Sequence, residues 1–239
     1  MQIRSAALTD IGKVRPENED RFLCDDALRL YAVADGIGGL PGGAEAAQLA
    51  TTALHAAIAA APPDTLPDLD ALTHHLNETV YELSRHISPR HGLGTTLTYT
   101  LIRDATLRLV HVGDSRCYLL RDKKLTLLTT DHTVENEFRA NHAAGRIIHY
   151  NETQRKALTR CIGQLPPLEP SLTQHPLHPG DRCLLCTDGI TKAMDDPELA
   201  NILSTPAPPA AILLSLISLA NARGGGDNAT GVLVFVDAL

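Results

Sequence analysis

Four aspartates in this chain share one setting. Asp35 closes the apolar run Tyr31-Ala32-Val33-Ala34 and is followed by Gly36. Asp114 follows RLVHVG, Asp188 follows DRCLLCT, and Asp227 follows three glycines and precedes ATGVLVFV. A fifth, Asp20, ends the acidic stretch RPENED. A lone Asp-Gly pair is a turn signal; the recurrence is what points to a site. Carboxylates brought together repel one another unless cations hold them. Apart from His111 in RLVHVG, no histidine lies in these short motifs, and an oxygen-only set suits Mg²⁺ or Mn²⁺ better than zinc. The adjoining glycines let the backbone approach, so that the Gly36 carbonyl is itself a candidate ligand. Paired hard cations serve phosphoryl hydrolysis by activating water and polarising phosphoryl oxygens. Arg15, four residues before Glu19, is a candidate phosphate ligand, because a guanidinium binds phosphate oxygens two at a time. Taken singly, an arginine near acids is ordinarily a surface ion pair.

The elements that must position these residues follow from the hydrophobic period. Gln2–Leu8 reads as a first strand, and Arg21–Cys24 with Arg29–Ala34 as a hairpin. The Ala-rich stretch from Gly43 to Ala61 and the apolar face Leu69, Leu72, Leu76, Val80, Leu83 and Ile87 predict two helices. Strand-length runs follow at Gly94–Ile102, Thr106–Val112, Arg116–Leu120 and Lys124–Leu128. Their short links predict antiparallel neighbours in a meander. Asp131 is placed to cap a helix over Thr133–Ala144. Leu172–Pro176 and Arg182–Cys186 read as strands joined by Pro179-Gly180-Asp181. Helices over Pro197–Leu203 and Ala207–Ala222 and a strand over Thr230–Val236 complete the chain. Strands and helices in blocks indicate an α+β layered domain rather than alternating βαβ units. Residues 1–239 read as a single domain, with no linker, and the polar 141–164 stretch as a mobile flap.

Composition narrows the classes. With 239 residues, 44% of them hydrophobic, the chain can bury a full core. A net charge of −7 disfavours a nucleic-acid partner. Five scattered cysteines fit a reduced, cytoplasmic protein. Cys183 and Cys186 form a lone C-x-x-C inside a strand, where positions three apart face opposite sides, so both read as small buried hydrophobes rather than zinc or redox groups. The eleven histidines are dispersed, with His111 and His132 in structural settings. GIGGLPGG has Pro41 where a dinucleotide loop needs its third glycine. No apolar stretch reaches the ~20 residues of a membrane span.

Seven motifs in order, GKVRPENEDRF, VADGIGG, GTTLTYTLI, VHVGDSRCYLL, LTTDHT, HPGDRCLLCTDGI and GGGDNATGVLV, cover nearly the whole chain. By these the sequence resembles the metal-dependent PPM (type 2C) protein serine/threonine phosphatases, bacterial branch. The resemblance implies a sandwich of two antiparallel β-sheets flanked by α-helices on both outer faces. It implies hydrolysis of phosphoserine and phosphothreonine by direct attack of a metal-bridging water, without a phosphoenzyme, by an enzyme opposing a bacterial Ser/Thr kinase; a monomer is the default expectation. It implies two, or three, Mn²⁺ or Mg²⁺ ions. Asp35 would bridge two metals, Gly36 would bind one through its carbonyl, and Asp188 and Asp227 would bind the other. Asp114 with Asp188 would hold a third. Glu19 and Asp20 would hold metal-bound waters, Arg15 the substrate phosphate, and Asn228 would support Asp227. Ile37 stands where many animal members carry a histidine proposed as general acid. The rival class is a pseudophosphatase that binds phosphoproteins without turnover; the intact acid set argues against it. A further rival is an enzyme devoted to one phosphoprotein regulator, which only substrate tests separate.

Overall fold

The computed structural model describes residues 1–37, 42–62, 65–90, 92–146, 149 and 151–239. Ten strands form two five-stranded sheets. The strands are β1 (Gln2–Asp10), β2 (Asp20–Asp25), β3 (Leu30–Asp35), β4 (Leu97–Arg103), β5 (Thr106–Val112), β6 (Arg116–Arg121), β7 (Lys124–Leu127), β8 (Ser171–Pro176), β9 (Arg182–Cys186) and β10 (Ala229–Ala238). One sheet has the order β1-β10-β9-β6-β7, the other β2-β3-β4-β5-β8, and every pairing is antiparallel. The helices are α1 (Gly43–Ala60), α2 (Leu69–Ile87), α3 (Val134–Ala143), α4 (Asp188–Thr191), α5 (Asp196–Leu203) and α6 (Pro209–Ala222). The α1 helix packs on β2 and β3, with α2 against α1, while α6 packs on β1 and β10 at the opposite face.

This layering explains the unbroken apolar runs. In β3, Leu30, Ala32 and Ala34 face the α1–α2 layer, while Tyr31 and Val33 face the other sheet. In β9, Leu184 and Cys186 face α4–α6, and Cys183 and Leu185 face inward. A strand covered on both faces is apolar throughout instead of alternating. Cys183 and Cys186 lie on opposite faces and are buried, so neither forms a paired site with the other. The alanines of α1 have a packing role: Ala46, Ala47 and Ala50 are fully buried, which lets the helix sit close to the sheet. At its start α2 is capped by Asp68, whose side chain accepts from the Asp70 and Ala71 amides.

Three sequence expectations need correction. The meander does not continue through Gly113-Asp114-Ser115: β5 and β6 belong to different sheets, so this link crosses the sandwich rather than turning a hairpin. The link Pro179-Gly180-Asp181 likewise joins β8 in one sheet to β9 in the other, anchored by Arg121, which donates to both Asp181 carboxylate oxygens at 2.8 and 2.7 Å. Chain separation cannot tell a tight hairpin from a tight crossover when both faces of a strand are apolar. Asp131 does not cap α3. Thr133 does, accepting from the Asn136 amide, and Asp131 pairs with Arg116 instead. Part of the expected 141–164 flap, residues 147, 148 and 150, lies outside the described residues, as do Gly38 to Pro41.

Candidate active site

The sandwich brings the aspartates to one end. Asp35 is the last residue of β3 and pairs with Asp20, the first of β2. Asp114 lies just past β5, Asp188 just past β9 and Asp227 just before β10. Because β9 and β10 run antiparallel, the end of one and the start of the other meet. Arg15, Glu19, Asp35, Gly36, Asp114, Asp188, Asp227 and Asn228 all line a single cleft of 470 Å³. Asp20 is buried behind it.

Local chemistry fixes each carboxylate. Thr96 Oγ1 accepts from the Asp35 amide and Thr95 Oγ1 donates to its carbonyl, both at 2.9 Å, so GTTL clamps the end of β3. Thr187 Oγ1 donates to Asp20 Oδ2 at 2.8 Å. Gly113 adopts φ 110°, and a Cβ there would stand 2.6 Å from the Thr96 side chain, so the turn that delivers Asp114 requires glycine. Gly189 lets the backbone after Asp188 press against β10: a Cβ would lie 1.9 Å from the Asn228 carbonyl oxygen.

Asn228 works differently from the expected support of Asp227. Only its backbone amide reaches Asp227, at 3.0 Å. Its side chain accepts from the Glu19 amide and donates to the carbonyls of Ile11 and Glu17, holding the loop that carries Arg15 and Glu19. Arg15 grips Asp227, with Nε 2.9 Å from Oδ1 and Nη2 3.1 Å from Oδ2. Lys192, which sequence reasoning passed over, places Nζ 2.5 Å from Asp188 Oδ2 and 3.0 Å from Asp227 Oδ2. Its signal was the i, i+4 spacing from Asp188, which gains meaning only on a helix. From the segment beyond α3, Lys156, Ala157 and Leu158 also line the cleft.

The electrostatics are those of a crowded anionic site. Burial, then the charges of Asp20, Asp188, Asp114 and Asp227, holds the Asp35 carboxyl well above the ordinary range. Burial pushes Asp114 up to about 7, with Asp188 adding to it, and Asp20 up to about 6. Burial also raises Asp188 and Glu19. For Asp227 burial acts upward too, but the Lys192 hydrogen bond and the charges of Lys192 and Arg15 outweigh it and the carboxyl falls. Asp20 Oδ1 and Asp188 Oδ1 are buried without a hydrogen-bond partner. Among the described residues no three or more His, Cys, Asp or Glu groups form a ready ligand cage. Oxygen-only donors, unpartnered buried carboxylate oxygens and mutual repulsion nonetheless fit hard divalent cations.

The sequence profile of the protein phosphatase 2C family matches residues 16–212, and the chain belongs to this family. It is 37% identical over 238 residues to the serine/threonine protein phosphatase PstP of Mycobacterium tuberculosis, covering 98% of this chain and 45% of that protein. It therefore spans about half the length of that relative. It is 32% identical to protein phosphatase PhpP of Streptococcus pneumoniae, covering 95% of each chain. The fold superposes on the crystal structure of the PstP catalytic domain in complex with two manganese ions, at a TM-score of 0.84, 36% identity and 99% coverage of both chains.

Proposed function

We propose that this protein is a metal-dependent phosphatase that hydrolyses phosphoserine and phosphothreonine in proteins. The observation that carries the reading is the convergence of Asp35, Asp114, Asp188 and Asp227 from separate strand ends on the cleft that holds Arg15. In this reading Asp35, the Gly36 carbonyl, Asp188 and Asp227 hold two Mn²⁺ or Mg²⁺ ions, and Asp114 with Asp188 holds a third. When bound, such ions lower the pKa of the attacking water and polarise the phosphoryl oxygens. Arg15, on the cleft rim, orients the phosphate through its planar fork of donors. Glu19, which lines the cleft, and Asp20, anchored by Thr187 just behind Asp35 with Oδ1 unengaged, would accept hydrogen bonds from water that the ions hold.

Cys161 also lines the cleft, and burial pushes its thiol up to about 11. A neutral thiol is a poor nucleophile, which supports direct attack by water over a phosphocysteine route. Ile37 lines the same cleft and can donate no proton to the leaving alkoxide. In this reading the enzyme works as a monomer in the cytoplasm, opposite a Ser/Thr kinase; its five cysteines are free, which fits a reducing compartment. No helix among the described residues is long and apolar enough to cross a membrane.

The test is phosphate release from a phosphothreonine peptide in EDTA, Mg²⁺ or Mn²⁺, for the wild type and Asp35→Asn. Hydrolysis that requires added metal and falls more than about a hundredfold in the variant is expected. Turnover in EDTA, or full turnover by a folded Asp35→Asn, would overturn the reading.

A further inference from the structure

Lys192 closes the short α4 helix, its amide donating to the Asp188 carbonyl at 2.7 Å. That backbone bond fixes the lysine one helical turn beyond Asp188, on the same face. Its Nζ then lies within hydrogen-bond distance of two carboxylate oxygens from different elements, Asp188 Oδ2 and Asp227 Oδ2. Arg15 also holds Asp227, with Nε on Oδ1 and Nη2 on Oδ2, the oxygen that Lys192 reaches. Two cations thus neutralise the two carboxylates that, by the family resemblance, would share one metal ion.

We propose that Lys192 is a tethered competitor for the divalent cation at Asp188 and Asp227, and that it sets the metal affinity of that position. The inference rests on the metal-site reading above. Asp188 Oδ1 is unengaged, but both Asp227 oxygens are held by Arg15 and Oδ2 by Lys192 as well, so an ion ligated by both carboxylates stands against the Lys192 ammonium, which repels it. Lys192 can leave: its side chain is 48% exposed, and it borders an adjoining cavity of 330 Å³ that it shares with Asp114. An ion at Asp227 Oδ2 displaces the Lys192 ammonium from that oxygen and leaves a positive charge nearby, both of which weaken binding. The same contact favours the metal-free fold, in which Arg15 would otherwise be the one cation against the Asp188–Asp227 pair and none would touch Asp188.

The test is calorimetric Mn²⁺ titration of the wild type, Lys192→Gln, Lys192→Arg and Asp188→Asn, with melting curves in EDTA. Lys192→Gln is expected to bind one Mn²⁺ on the order of tenfold more tightly, the scale of one charge-assisted hydrogen bond. It is also expected to melt lower than the wild type in EDTA. Lys192→Arg keeps the charge and is expected to bind no more tightly than the wild type. If Lys192→Gln binds Mn²⁺ as the wild type does while Asp188→Asn loses a site, the competitor is wrong and the metal site stands. If Asp188→Asn binds Mn²⁺ like the wild type, the metal site itself is wrong, and the inference goes with it.

Discussion

Replacing Asp114 by asparagine should stabilise the metal-free protein, and the size of the gain should depend on pH. The Asp114 carboxyl is raised from 3.8 to about 7 by burial and by the charges of Asp188 and Asp131. A carboxyl raised in the folded state favours folding fully only below its unfolded value, and that contribution is lost as pH rises through the folded value. At pH 8 the wild type therefore carries a penalty with a ceiling of about 4 kcal/mol, from 1.36 kcal/mol per unit. The side chain faces a water-accessible cleft, so roughly half of that, ~2 kcal/mol, is the expected gain. For a chain of this length this corresponds to about 4–8 °C in Tm. At pH 5.5 folded Asp114 is largely protonated, and the gain shrinks to about half its pH 8 value. The assay is a pair of melting curves, wild type and Asp114→Asn, in EDTA at both pH values. Saturating Mn²⁺ should reverse the order at pH 8, because binding stabilises the protein that keeps its ligand. A variant less stable than the wild type in EDTA at pH 8, or a gain independent of pH, would refute the reasoning. If Mn²⁺ raises both proteins equally, Asp114 holds no cation.

Two further substitutions test how the site is built. Asn228→Ala removes one acceptor and two donors that hold the Ile11–Glu19 loop. It should lower stability by about 1–3 kcal/mol in denaturant titration and raise KM for a phosphopeptide through misplacement of Arg15; Asn228→Asp, which keeps the acceptor, should fall between. Gly189→Ala forces a Cβ to within 1.9 Å of the Asn228 carbonyl oxygen. It should lose about 3 kcal/mol, read as a drop in the denaturant midpoint, with Mn²⁺ affinity falling as Asp188 shifts; an unchanged midpoint would mean that the backbone contact is looser than described.

The helices and most strands were legible because their signals are local. The α2 helix runs over Leu69–Ile87, as its apolar face predicts, and β5 over Thr106–Val112. The short α4 was not legible: four residues carry no period, and its role lies in turning the chain so that Asp188 and Lys192 share a face. The partner of Asp131 was misread because a capping aspartate and an ion-paired one look alike until Arg116 is placed opposite. The work of Asn228 was assigned to its sequence neighbour Asp227, whereas its amide spans to residues more than two hundred positions away.

By itself the sequence determined the residue types: oxygen-only acids at strand ends, glycines where the backbone must turn or press close, and an arginine suited to phosphate. Composition and period also settled the layered α+β class, since apolar runs of strand length and amphipathic stretches of helix length are properties of the chain alone. Only the tertiary structure decided which strand ends meet. Crossing from β5 to β6 and from β8 to β9 between sheets carries Asp114 and Asp188 to the end where Asp35 and Asp227 already stand. It also decided the protonation of these acids and their hold by Lys192 and Arg15. Burial and charge act through space, over distances that the order of residues along the chain does not encode locally.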